Sequence, residues 1–130
     1  MNEEIAKIRT FTDLLAWQEA HKTAIMIYNL TKNFPNKEKY VLTNQMCRAA
    51  ISVTSNIAEG FGRQGYKEKV QFYYLSQGSL TELKNQILLA KDINYMTLEE
   101  FKQISKQINL AHKLLQGLIT KSKSFLNHKS

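Results

Sequence analysis

The chain has 130 residues, 43% hydrophobic and 22% charged, with a formal charge of +7 and one cysteine. That size and apolar content fit one globular domain and exclude a disordered chain. No apolar run approaches a membrane span, and the polar start Met1-Asn2-Glu3-Glu4 lacks the apolar core of a signal peptide, so the expected location is cytoplasmic with no membrane partner.

Residues 1–12 read as an irregular arm. A first helix is expected over about 13–33, where Thr12 can cap, Asp13 suits the positive helix end, and Trp17, Ala20, Ala24, Ile27 and Thr31 recur at helical spacing. Phe34-Pro35 ends it, because the residue ahead of a proline is pushed out of helical geometry. Asn36 is a candidate cap for a second helix over about 38–61. That helix carries an apolar stripe of Met46, Ala49, Val53 and Ile57 and a polar stripe of Arg48, Ser52, Ser55 and Glu59, with Asn56 beside it. It runs into Gly60 and Gly62, which suit the left-handed backbone that often closes a helix.

The third helix is expected over about 66–93, with Tyr73, Ser76, Leu80, Leu83, Ile87 and Ala90 as its stripe. After a turn at 92–96, Thr97-Leu98-Glu99-Glu100 matches a capping box, with Thr97 as cap and Glu100 reaching back. The fourth helix follows over about 98–124, striped by Phe101, Ile104, Ile108, Ala111, Leu115 and Leu118. Residues 125–130 read as a frayed basic tail. Short connections make neighbouring helices antiparallel, so the predicted fold is all-α, an up-down-up-down four-helix bundle over residues 13–124.

One bundle hides one stripe per helix, yet Ala50 and Ile51 in the second helix and Phe72, Tyr74 and Leu88 in the third lie off theirs. These five are the candidate interface of a homo-oligomer. The alternative is a monomer with a thick core.

Several constellations suggest chemistry. Gly60-Phe61-Gly62-Arg63-Gln64-Gly65 spells G-x-G-x-x-G, with Glu82 some twenty residues on. A dinucleotide site needs a strand before the glycines, and here a helix precedes them, so a turn is the simpler reading. A weaker anion site remains at the start of the third helix, with Arg63, Lys67 and Lys69 nearby. No histidine follows a glutamate at the Glu-x-x-His spacing of a two-metal bundle, so neither a metal nor another cofactor is expected. Arg48 is expected to pair with Glu59 or Glu82, with Ser52, Ser55, Asn56 and Ser79 completing an internal polar network. Cys47 reads as a buried structural thiol and Trp17 as a packing anchor. Tyr and Phe at 72–74 have the chemistry to stack bases, but their mid-helix core spacing favours packing. Lys113, Lys121, Lys123 and Lys129 are the better nucleic-acid candidates, as an electrostatic patch that reads no bases.

At these residues the chain resembles a known family, the four-helix bundle proteins encoded within intervening sequences of bacterial large-subunit ribosomal RNA genes. The resemblance spans roughly residues 11–120. It rests on Phe11 through Trp17-Gln18, Tyr28 with Leu30-Thr31, Phe34-Pro35, Tyr40, Leu42-Thr43 and Gln45. Its strongest pieces are Arg48-Ala49-Ala50-Ile51-Ser52 and Ser55-Asn56-Ile57-Ala58-Glu59-Gly60, followed by Phe72 and Gly78-Ser79-Leu80-Thr81-Glu82-Leu83. The resemblance implies a bundle that assembles as a ring, a pentamer, with no catalytic set to carry over. A related member, the accessory variability-determinant protein of diversity-generating retroelements, is basic and associates with nucleic acid and a reverse transcriptase. This chain departs at Ser76-Gln77, where alanine and an apolar residue are commoner, and at Gly65-Tyr66, where further basic residues often follow the arginine. The expectation is a non-enzymatic, homopentameric bundle that binds RNA or DNA, RNA first, through Arg63, Lys67, Lys69, Lys113, Lys121 and Lys123. The alternative is a protein-interaction scaffold whose basic charge is incidental.

Overall fold

The structure, a computed structural model, describes residues 7–129, with side chains described through Leu126. The expectations for residues 1–6, for Ser130 and for the Lys129 side chain lie outside the described residues. Four helices account for most of the rest: α1 (Leu15–Thr31), α2 (Leu42–Phe61), α3 (Tyr66–Asp92) and α4 (Leu98–Lys129). No strand occurs among the described residues.

Each helix packs on two neighbours, α2 on α3, α3 on α4, α4 on α1 and α1 on α2, with no packing across either diagonal among the described residues. Higher numbers on one helix meet lower numbers on the next. Ser52 meets Ser79 and Val53 meets Ser76 between α2 and α3, while Lys84 meets His112 and Tyr74 meets Lys123 between α3 and α4. These pairs are compatible with an up-down-up-down arrangement.

The core follows the helical stripes. Met46, Ala49, Val53 and Ile57 of α2 are buried, as are Tyr73, Ser76, Leu80, Leu83, Ile87 and Ala90 of α3. On α4 the buried line is Ile104, Ile108, Ala111, Leu115 and Ile119, while Phe101 and Leu118 pack partly buried against it. On α1, Ala20, Ala24, Ile27 and Thr31 are buried, and Trp17 packs partly buried against the core with its ring stacked on His21. Cys47 is likewise partly buried.

The helix ends depart from the sequence reading in four places. First, α1 starts at Leu15, behind a single 3-10 turn at Phe11–Asp13. The Asp13 carboxylate accepts from the amides of Arg9 and Thr10 at 2.9 and 3.0 Å, whereas the Thr12 hydroxyl bonds Thr10. The two amide bonds hold the Asp13 carboxyl below the usual carboxylate range. Second, α2 begins at Leu42, after another 3-10 turn at Asn36–Glu38. Tyr95 donates to Glu38 at 2.7 Å and holds that turn against the α3–α4 connection. Third, no glycine among the described residues has a positive φ; the left-handed residue is Asn94, φ 64°, between α3 and α4. Fourth, α4 continues through residues 125–129.

Candidate nucleic-acid interface

The cations divide into two groups by what they touch. At the glycine turn between α2 and α3, Arg63 and Lys69 are engaged by the chain itself. Arg63 forms an ion pair with Glu59 at 3.1 Å, and its guanidinium lies 4.6 Å from the Phe72 ring centre. Lys69 donates to the Phe61 carbonyl at 2.6 Å and sits over the Phe61 and Tyr66 rings. That bond satisfies a carbonyl at the end of α2, where the helix dipole also favours a cation. Partial burial holds the Lys69 ammonium below the usual lysine range. Lys67 is exposed.

On α4 the cations face outward. Lys102, Lys106, Lys113, Lys121 and Lys123 are all exposed. Lys102, Lys106, Asn109, Lys113, Gln116 and Thr120 recur at spacings of four and three, which puts them on one line along the helix. At 1.5 Å per residue the exposed lysines span about 30 Å. Lys123 also donates to the Tyr74 hydroxyl at 3.1 Å, tying the far end of the line to α3. Beside the line, an open groove of about 830 Å³ is lined by Lys84 of α3 and by Lys113, Gln116, Thr120 and Lys121 of α4, among others.

The charge is more polarised than the individual lysines suggest. All eleven acids lie before Phe101, and six of the fifteen lysines lie after it, so the chain carries +6 after Phe101 and +1 before it; α4 as a whole, with Glu99 and Glu100 in its first turn, carries +4. Splitting the charge count by helix exposes this in the sequence; counting lysines one by one does not. Lys84, Lys102 and Lys106 are the members of this surface that the sequence reading passed over.

The expected polar network forms only in part. Ser52 and Ser79 share a 2.7 Å hydrogen bond, and the Asn56 amide donates to the Ser52 hydroxyl and carbonyl at 3.1 and 2.9 Å. Arg48, Ser55 and Glu82 stay exposed. Glu59 pairs with Arg63, one helical turn away, and Glu82 accepts from Gln86 at 3.2 Å. The expected pairing of Arg48 with Glu59 or Glu82 is thus replaced by local partners on the same helix side. The candidate interface residues also split. Ala50 is 1% exposed and belongs to the core, because α2 buries two adjacent faces against its neighbours. Phe72 is half-buried beneath Arg63, whereas Ile51, Tyr74 and Leu88 are exposed, together with Leu75 and Leu89.

Among the described residues no group of His, Cys, Asp and Glu is arranged to hold a metal, and no helix is long and apolar enough to cross a membrane.

The family model that matches the chain is described as 23S rRNA-intervening sequence protein, and it covers residues 12–117. No curated protein matches. Among solved structures, the chain is similar to a protein of unknown function of the S23 ribosomal protein family from Bacteroides thetaiotaomicron VPI-5482. The two share 24% identity over 84% of this chain and 98% of that one, with a TM-score of 0.76. That likeness carries the four-helix fold.

Proposed function

We propose a function from the premise that this chain belongs to the 23S rRNA-intervening sequence protein family: it binds nucleic acid, RNA first, through the outer face of α4. It does so as a cytoplasmic homo-oligomer, a pentamer, with no catalysis of its own. The observation that carries this reading is the acid-free stretch of α4 after Phe101, whose lysines at 102, 106, 113, 121 and 123 are all exposed. Lysines are mobile point charges, suited to phosphate oxygens and poor at reading base edges. The contacts are therefore to the backbone, and the binding is weakly dependent on sequence. In this reading Lys113, Lys121, Lys123, Lys102 and Lys106 contact phosphates, Lys67 assists, and Arg63 and Lys69 serve the fold.

Self-association is supported by Ile51, Tyr74, Leu75, Leu88 and Leu89 of α2 and α3, each 45–58% open to solvent. These side chains lie on α2 and α3; Tyr74 touches Lys123, and contact through the other four leaves Lys102, Lys106, Lys113 and Lys121 on α4 open. The same side chains favour a second reading, a scaffold that docks another protein, such as a reverse transcriptase.

The test is fluorescence anisotropy of labelled RNA over a salt series, on protein of measured oligomeric mass. Phosphate contacts give a log–log salt slope of about −0.7 per contact on single strands. Affinity without that salt dependence overturns the reading. Charge reversal at Lys113 and Lys121 should abolish RNA binding and spare docking of a protein partner.

A further inference from the structure

Lys84 of α3 and His112 of α4 meet across the helix pair, Nζ to Nδ1 at 2.7 Å. An ammonium only donates, so Nδ1 accepts, the ring is neutral, and its proton sits on Nε2. The pair lines the 830 Å³ groove described above, and no carboxylate lines it among the described residues. The ionisable group that meets the ring is a base, Lys84 from α3, and the others that line the groove, Lys113 and Lys121 from α4, are bases too. From the opposite flank of α4, α1 contributes no residue to the groove. Partial burial and the Lys84 ammonium hold His112 below the ordinary histidine range, against an opposing hydrogen bond to Gln116. The groove thus keeps an imidazole against one ammonium, with two more lysines along its wall and no carboxylate among its lining residues.

We propose that Lys84, His112 and Gln116 form a subsite for one phosphodiester of a bound nucleic acid, and that His112 gains a proton when the phosphate arrives. The inference rests on the reading of α4 as a polyanion surface and specifies the chemistry at one point on it. A phosphate oxygen draws the Lys84 ammonium away from Nδ1. The freed nitrogen takes one proton from solvent and donates it to a second oxygen. No covalent bond of the nucleic acid changes. The phosphate charge offsets the repulsion between imidazolium and ammonium that disfavours the protonated ring in the free protein.

Linkage fixes the sign. Where binding takes up a proton, affinity falls as pH rises, between the value at which His112 titrates free and the higher value at which it titrates bound. Below and above that window the affinity is flat.

The test measures anisotropy of an RNA oligonucleotide at fixed salt, with a dye insensitive to pH, at about pH 6 and about pH 8. Wild-type protein should bind roughly five- to tenfold more tightly at the lower pH. His112→Gln should give a flat profile, and His21→Gln, on α1 against Trp17, should keep the slope. NMR of the His112 ring gives a second readout that needs no variant: it titrates low in the free protein and moves up on RNA. Lys84→Met should raise its titration in the free protein. Binding that is independent of pH, a slope that survives His112→Gln, or a His112 titration unmoved by RNA overturns this inference and leaves the polyanion reading standing. Absence of RNA binding at every pH overturns both.

Discussion

Ser76 on α3 donates a 2.6 Å hydrogen bond to the backbone carbonyl of Val53 on α2, and both residues are closed to solvent. The bond fixes the register of this helix pair at a point where only a small side chain fits between the backbones. Ser76→Ala removes the donor but leaves the Val53 carbonyl its partner within α2, so the expected loss is about 1 kcal/mol. Ser76→Leu should cost more than the alanine variant, within roughly 1–3 kcal/mol for overpacking. Urea unfolding should show the midpoint falling with an unchanged slope for both.

A Cβ built on Gly60 would lie 2.8 Å from a ring carbon of Tyr73 and 2.9 Å from the Phe72 Cβ. The Phe72 Cβ is fixed to the α3 backbone, so Gly60→Ala should push α2 from α3, at about 1–3 kcal/mol. A Cβ at Gly117 meets nothing within 4 Å. Gly117→Ala should instead stabilise the chain by up to about 1 kcal/mol, since alanine is the better helix former. Thermal melts of the two variants should move in opposite directions.

The close approach at Gly60 also marks the limit of what the sequence shows. The stripes Met46-Ala49-Val53-Ile57 and Tyr73-Ser76-Leu80-Leu83 were legible because helical spacing and burial are the same signal. The Thr97–Glu100 box was legible because the whole motif is local, and its reciprocal bonds form at 3.0 and 2.9 Å. Gly60 was not, because its reason is a ring some thirteen residues away on another helix rather than its own φ. Arg63 and Lys69 looked like anion binders because nothing local reveals that Phe72 and the Phe61 carbonyl come within their reach. Ala50 looked like interface because a methyl side chain does not declare which of two faces is covered. The Lys84–His112 pair depends on the register of α3 against α4, and no local pattern carries that.

Burial raises the Tyr73 hydroxyl to about 12, with the neighbouring Tyr66 adding to the effect. The sign for stability follows from the raised value. Its contribution is complete below the unfolded tyrosine value near 10 and is lost as pH rises through about 12. Lysines titrate in the same range, so the comparison must be with Tyr73→Phe. That variant should match the wild type near neutral pH within about 1 kcal/mol. It should lose less stability between about pH 10 and about pH 12. Urea midpoints measured across that range check it, and parallel loss in both proteins would show that Tyr73 ionises without opposing the fold.

The division of the cations predicts two different outcomes for the same kind of substitution. Lys113 and Lys121 face solvent on α4, so Lys113→Glu and Lys121→Glu should leave stability nearly unchanged. Each should flatten the salt dependence of RNA binding by about 0.7 in log–log slope for the contact removed, with further weakening from the new negative charge. Arg63 is already held by Glu59 and the Phe72 ring. Arg63→Glu should therefore leave the slope close to wild type. Its cost should fall on stability, as it replaces an attractive pair four residues apart with a repulsive one, a change of roughly 0.4–1 kcal/mol, together with loss of the Phe72 contact. Salt plots and thermal melts of the three variants separate the effects. A slope that flattens equally for Arg63→Glu would mean that the phosphates run along the glycine turn as well as along α4, with the Glu59 pair opening to admit them.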